Sequence, residues 1–213
     1  MRAAIIVFPR LTVLDFIGMY DPLSRIKSMG VDPSFELRIV GTEPEISDES
    51  GVVLKPDSVF LDLRPFDLLL LPGGQGTRTL MHDKHFIGYL RTWGWDRPVA
   101  SVCTGALLLA AAGLLRGGPA TTHRGAFDLL RGFGIEVVER RIVENGRVTT
   151  AGGVASSLDL GLYLVEKYYG GSARERIAAQ MEYRGYPPDP ASPKVGITRR
   201  ETIGTPQPPG AES

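Results

Sequence analysis

The sequence predicts a three-layer α/β sandwich, a mainly parallel central sheet with helices on both faces. Three observations carry that expectation. Short apolar runs, such as residues 3–8 and 67–71, read as strands buried on both sides. They alternate with helical stretches, the pattern that right-handed β–α–β crossovers produce. One strand, residues 97–102, passes into a helix across a single small residue, Cys103, the signature of a nucleophile elbow.

Taken in order, residues 3–8 form the first strand, ended by Pro9. Residues 15–29 form a helix with Gly30 as its stop. Residues 35–40 are the second strand, and 57–63 a short helical or irregular link. Residues 67–71 are the third strand, closed by Pro72-Gly73-Gly74, and 77–93 a single helix. After Cys103, the run from Ala106 to Ala112 is a buried helix stopped by Gly113. A short strand at 120–122 leads to a helix at 125–133. Residues 137–143 and 147–150 flank Asn145-Gly146, a strong two-residue hairpin signal. Helices at 156–169 and 172–183 complete the fold. No repeat or linker interrupts 1–184, which is one domain; prolines and small polar residues make 185–213 an extended, partly disordered tail.

The chain has 213 residues, 43% of them hydrophobic, and its 24 basic side chains match its 24 acidic ones. A neutral balance argues against nucleic-acid or anionic-membrane partners, which favour a basic excess. One cysteine excludes an internal disulfide. No apolar stretch approaches the roughly 18 residues of a membrane helix, and no leader pattern precedes the first strand. A cytoplasmic protein is expected.

Three segments converge where strands end: the loop carrying Asp15, the turn Pro72-Gly73-Gly74-Gln75-Gly76, and the elbow Cys103-Thr104. At a helix N-terminus the Cys103 thiol should have a lowered pKa and act as nucleophile, although a free cysteine also packs as a plain hydrophobe. The N–H groups of Gly73, Gly74 and Thr104 are candidates for an anion-stabilising pocket. Asp15, between Leu14 and Phe16, is either a helix cap or an acid–base group sharing a proton with the thiol. Asp21 is a second, more distant carboxylate. His123 follows Thr121-Thr122 at a strand end and is either a partner of Cys103 or a packing residue. His82 and His85 have a metal-compatible spacing but no third ligand nearby, so no metal is expected. Trp93 and Trp95 read as packing residues. The Ser156-Ser157 pair after Gly152-Gly153 reads as a helix cap.

The residues Phe8-Pro9 through Leu14-Asp15 and Gly18, Leu71-Pro72-Gly73-Gly74, Ser101-Val102-Cys103-Thr104-Gly105-Ala106, Ala120-Thr121-Thr122-His123 and Thr150-Ala151-Gly152-Gly153 occur in collinear order. Together they resemble the ThiJ/PfpI superfamily over roughly residues 1–184, and most of all its isonitrile hydratase branch. The resemblance implies a flavodoxin-like, class I glutamine amidotransferase-like fold. It also implies a homodimer acting on a small molecule without a cofactor, and hydration of an isonitrile to an N-substituted formamide. Catalytic roles then fall on Cys103, Asp15 and Thr104, and substrate or oxyanion contacts on Gly73, Gly74, Gly18 and His123. The sequence departs from the family in Met19, Tyr20 and Asp21, where Pro-x-Glu is common, and in Arg10, where glycine is usual. Redox or ligand sensing without turnover, and glyoxalase or deglycase activity, are the alternatives. A histidine directly after the nucleophile marks the PfpI-type proteases, and Thr104 stands there instead.

Overall fold

A computed structural model of the chain describes residues 1–184; the expected tail lies outside the described residues. The elements follow in the order β1 (Arg2–Val7), α1 (Val13–Ser28), β2 (Glu36–Gly41), β3 (Ile46–Ser47), β4 (Val53–Leu54), β5 (Ser58–Val59), β6 (Leu68–Leu71), α2 (Thr77–Leu80), α3 (Lys84–Arg91), β7 (Val99–Val102) and α4 (Gly105–Ala112). Then come β8 (Pro119–Ala120), a 3-10 turn (Arg124–Ala126), α5 (Phe127–Arg131), β9 (Glu136–Val137), β10 (Ile142–Asn145), β11 (Val148–Ala151), α6 (Ser156–Tyr169) and α7 (Gly171–Gln180).

Seven strands form the main sheet in the order β10-β11-β7-β6-β1-β2-β5. All pair in parallel except the β10–β11 hairpin at one edge. β1 lies between β2 and β6, with Ala3 opposite both Glu36 and Leu68. Its residues after Arg2 are buried, as is every residue of β6 and β7, because helices cover both faces. The apolar helix α4 is buried along nearly its whole length. Its all-round apolarity suits an interior helix and would not suit a half-exposed one.

On the opposite face α1 crosses α6 closely. A side chain at Gly18 would strike Ser157 Oγ at 2.0 Å, and one at Gly161 would meet Gly18 O and Pro22 Cγ at 2.9 Å each. Two glycines therefore let the backbones touch, which fixes the depth at which the first turn of α1 sits over the sheet.

Three expectations need correction, and one small hairpin adds to them. The single helix over 77–93 is two, α2 and α3, because Asp83 turns outward and accepts the N–H groups of His85 and Phe86 at 2.8 and 3.1 Å. A side-chain cap competes with helix continuation at that residue. The link at 57–63 contains the edge strand β5, pinned where Asp57 Oδ2 accepts the Ile39 N–H at 2.8 Å. Residues 137–143 are not one strand: β9 leaves to pair with β8, and β10 starts afresh at Ile142. The β3–β4 hairpin carries too little alternation to be read from sequence.

Candidate active site

β7 delivers Cys103 at a turn where its φ is +54°. A non-glycine residue in this region costs on the order of 1–3 kcal/mol and persists only where its surroundings enforce it. The enforcement is visible. The Cys103 N–H donates to Ala151 O at 3.1 Å and Gly152 O at 2.8 Å. Its carbonyl accepts the Thr122 hydroxyl at 2.7 Å. Gly105 lies so close to the β6 end that a side chain there would meet Leu71 O at 2.4 Å.

Asp15 arrives from the first turn of α1 and is completely buried. It does not cap the helix: Thr12 holds that position, without a side-chain bond. The Asp15 carboxyl instead points to the elbow, where Oδ2 accepts the Gly73 N–H at 2.9 Å. Oδ1 makes no well-formed hydrogen bond. The Cys103 thiol nevertheless lies close enough for the two groups to perturb each other's protonation. A thiol is a weak, loosely directed donor, so an electrostatic contact without ideal hydrogen-bond geometry is the consistent description.

Burial raises the Asp15 pKa from 3.8 to about 6, against the opposing pull of the Gly73 N–H and the thiol. Burial also pushes the Cys103 thiol up to about 12, with the Asp15 charge adding to the rise. The Thr104 N–H and hydroxyl act in the other direction and lose. The expected lowering of the thiol pKa at the helix N-terminus is therefore corrected. Desolvation and a neighbouring carboxylate outweigh the helix end. At rest the pair holds a neutral thiol beside a carboxyl poised near neutral pH.

Gly73 and Gly74 are needed here, but not as free anion donors. The Gly73 N–H is given to Asp15, and the Gly74 N–H to Thr104 Oγ1 at 2.9 Å. Thr104 Oγ1 also lies 3.0 Å from Gly74 O as a donor. This ties the glycine turn to the elbow. A side chain at Gly73 would meet Thr104 N at 2.5 Å and Cys103 Cβ at 2.8 Å, so only glycine fits. Of the expected N–H donors, Thr104's remains directed at the sulfur.

Gly18 is not part of the cluster; it forms the α1–α6 crossing. His123 is exposed, and its Nδ1 accepts the Gly125 N–H at 3.1 Å, so it caps the 3-10 turn. Asp21 pairs with Arg25 at 2.8 Å, away from the thiol. His85 meets the Phe60 ring edge-on, with ring centres 4.9 Å apart, and among the described residues no cluster of His, Cys, Asp or Glu has the make-up of a metal site. Trp93 is buried under the Arg97 guanidinium, 3.8 Å from its ring centre, whereas Trp95 is exposed.

Three residues hold the site in ways the sequence did not suggest. Thr122 and Gly152 clamp the Cys103 backbone. Ser157, read as a cap, donates to Val154 O at 2.8 Å and lies 3.1 Å from Leu14 O. It thereby fixes the backbone beside Asp15. The Thr-Thr and Gly-Gly pairs were the available signals, but their partners are distant in sequence.

Comparisons with known proteins identify the family and the fold. The pattern of the DJ-1/PfpI family matches residues 1–167. The isonitrile hydratase of Pseudomonas putida is 34% identical over 196 residues, covering 91% of this chain and 83% of that protein. The deglycase PH1704 of Pyrococcus horikoshii is 34% identical over 131 residues, 59% of this chain and 75% of that one. A crystal structure of a ThiJ/PfpI family protein from Pseudomonas syringae superposes with a TM-score of 0.77 at 29% identity, covering 90% of this chain and 78% of the other. Drosophila melanogaster DJ-1beta shares the fold, with a TM-score of 0.75 at 20% identity over 87% of this chain and 98% of that one.

Proposed function

This chain belongs to the DJ-1/PfpI family, and we propose that within it the protein is a cofactor-independent hydro-lyase that adds water to an isonitrile, giving an N-substituted formamide. The observation that carries the reading is the buried Asp15–Cys103 pair, a neutral thiol beside a carboxyl with a pKa of about 6. The 34% identity with an isonitrile hydratase along most of both chains supports it.

The chemistry suits the pair. The Cys103 proton passes to the Asp15 carboxylate as Sγ bonds to the terminal isonitrile carbon. Asp15 then gives that proton to the same carbon, leaving a thioimidate, R–N=CH–S–Cys103. Water adds to the C=N carbon, its proton passing through Asp15 to nitrogen. The tetrahedral adduct collapses, the C–S bond breaks, the hydroxyl proton returns to sulfur, and the formamide leaves. One isonitrile and one water are consumed. Attack generates no oxyanion, so the commitment of the Gly73 and Gly74 N–H groups to Asp15 and Thr104 does not hinder this step. Acyl hydrolysis would need such donors free. A thiol held near pKa 12 also weighs against a sensor whose cysteine is oxidised as a thiolate.

In this reading the protein works as a homodimer in the cytoplasm. Leu14 and Ile17 flank Asp15 on α1 and are 44% and 42% exposed; Val52 and Val53, at and before β4, are 44% and 52% exposed. Apolar side chains so displayed suit a second copy. No described helix is long and apolar enough to cross a membrane.

The test supplies cyclohexyl isocyanide and, separately, methylglyoxal to the purified protein, following formamide and lactate. Formamide release that vanishes in Cys103→Ala and Asp15→Asn supports the proposal. Lactate release without formamide, or no turnover across a panel of alkyl and aryl isonitriles, overturns it.

A further inference from the structure

A cavity of about 420 Å³ lies at the carboxyl ends of four parallel strands. Pro9 and Arg10 follow β1, Thr42 and Glu43 follow β2, Phe60 follows β5, and Gly76 lies beyond β6. The chain builds the sheet outward from β1 through β2 to β5, then returns to β6 on the other side of β1. The crevice between β1 and β6 is thus a topological switch point, where open α/β sheets hold ligands. The nucleophile stands one strand further on, after β7.

None of the residues lining this cavity is Cys103, Asp15 or Thr104. A stretch of backbone separates the two places: Leu11 bridges to Gly74, and the Gly76 N–H donates to Arg10 O at 3.1 Å. The wall is strained. Arg10 and Phe60 have φ of +61° and +46°; besides Cys103 and Glu182 they are the only described non-glycine residues with positive φ. Strain held at a cavity rim, as at the elbow, points to a shaped site and not to a packing defect. Thr42, also on the wall, has a hydroxyl that is buried and without a hydrogen-bond partner.

The lining has a chemical preference. Phe60, clamped edge-on by His85 and by Tyr89 at 5.0 Å, joins Phe86, Leu80 and Pro9 in an apolar and aromatic surface. The Arg10 guanidinium is paired with Glu49 at 2.6 Å. Glu43 and Asp83 then leave the rim acidic; Asp83 Oδ1 caps α3. Aromatic faces beside carboxylates favour an organic cation.

We propose that this cavity is a binding site for a small ring-bearing amine, its ring against Phe60, Phe86 and Leu80 and its ammonium group toward Glu43 and Asp83. The site is separate from the thiol chemistry and does not depend on it. The test titrates the full-length ¹⁵N-labelled protein with benzylamine, benzyl alcohol and benzoate at pH 7. Benzylamine should give saturable shifts at residues 42–43, 60 and 80–86, benzyl alcohol weaker ones, and benzoate none. Glu43→Gln, an exposed change, should weaken benzylamine by about three- to fivefold, the scale of one rim charge, whereas Cys103→Ala should bind it as the native protein does. Equal binding of the alcohol or benzoate, shifts centred on residues 15 and 103–104, or an affinity unmoved by Glu43→Gln would overturn the assignment.

Discussion

Replacing Asp15 by asparagine should stabilise the fold while abolishing isonitrile turnover. The carboxyl is fully buried, and burial lifts its pKa from 3.8 to about 6. Below about pH 4 it is protonated in both folded and unfolded chains and contributes no pH-dependent difference. As pH rises toward 6 the unfolded chain ionises first, so stability falls; above that the full penalty persists. A rise from 3.8 to about 6 corresponds to roughly 3 kcal/mol. Asparagine still accepts the Gly73 N–H through its carbonyl oxygen, but its amide NH2 takes the place of Oδ1, which has no hydrogen-bond partner, and an unpaired buried donor costs about 1–2 kcal/mol. The net gain at pH 8 is therefore about 1–2 kcal/mol, or roughly 2–8 °C in melting temperature for a chain of this size. Urea unfolding of both proteins at pH 4 and pH 8 measures it. The advantage of the variant should appear at pH 8 and disappear at pH 4. A variant less stable than the parent at pH 8, or an offset equal at both pH values, would refute the argument.

Three other outcomes follow from the same geometry. Alkylation of Cys103 by iodoacetamide should climb steadily to pH 10 without a plateau near neutrality, since the thiol pKa is about 12; a plateau near pH 7 would show a thiolate at rest. Gly73→Ala should lower turnover by more than tenfold, because the added carbon meets Thr104 N at 2.5 Å and must move the elbow; circular dichroism checks that the fold survives. Gly18→Val forces α1 from α6, where even a Cβ lies 2.0 Å from Ser157 Oγ, and should cost about 1–3 kcal/mol in chemical denaturation.

The sheet was legible because β1, β6 and β7 are continuous apolar runs that few other environments accept. The elbow was legible because a lone cysteine between a strand and an alanine-rich helix has little alternative geometry. Two things were not. The break between α2 and α3 depends on one side chain, Asp83, capping its own backbone, a choice that hydrophobic periodicity does not register. The protonation of the site depends on distance and burial. Asp15 and Cys103 are 88 positions apart, and only the folded chain reveals that desolvation overrides the helix end. For the same reason Gly73 and Gly74 suggested free donors, while the fold spends their N–H groups on Asp15 and Thr104. At Gly18 the close approach of α1 to α6 likewise depends on a partner, Ser157, far away in the sequence.

Covalent attachment of the substrate to Cys103, with Asp15 as proton carrier, can be read from the intact mass of the protein. It is measured on samples quenched during turnover of cyclohexyl isocyanide. Addition of S–H across the terminal carbon retains every atom of the substrate. The expected result is therefore a mass gain equal to one whole isonitrile, located on Cys103 and lost as the formamide appears. Formamide produced with no adduct at any quench time, or an adduct on another residue, would contradict it.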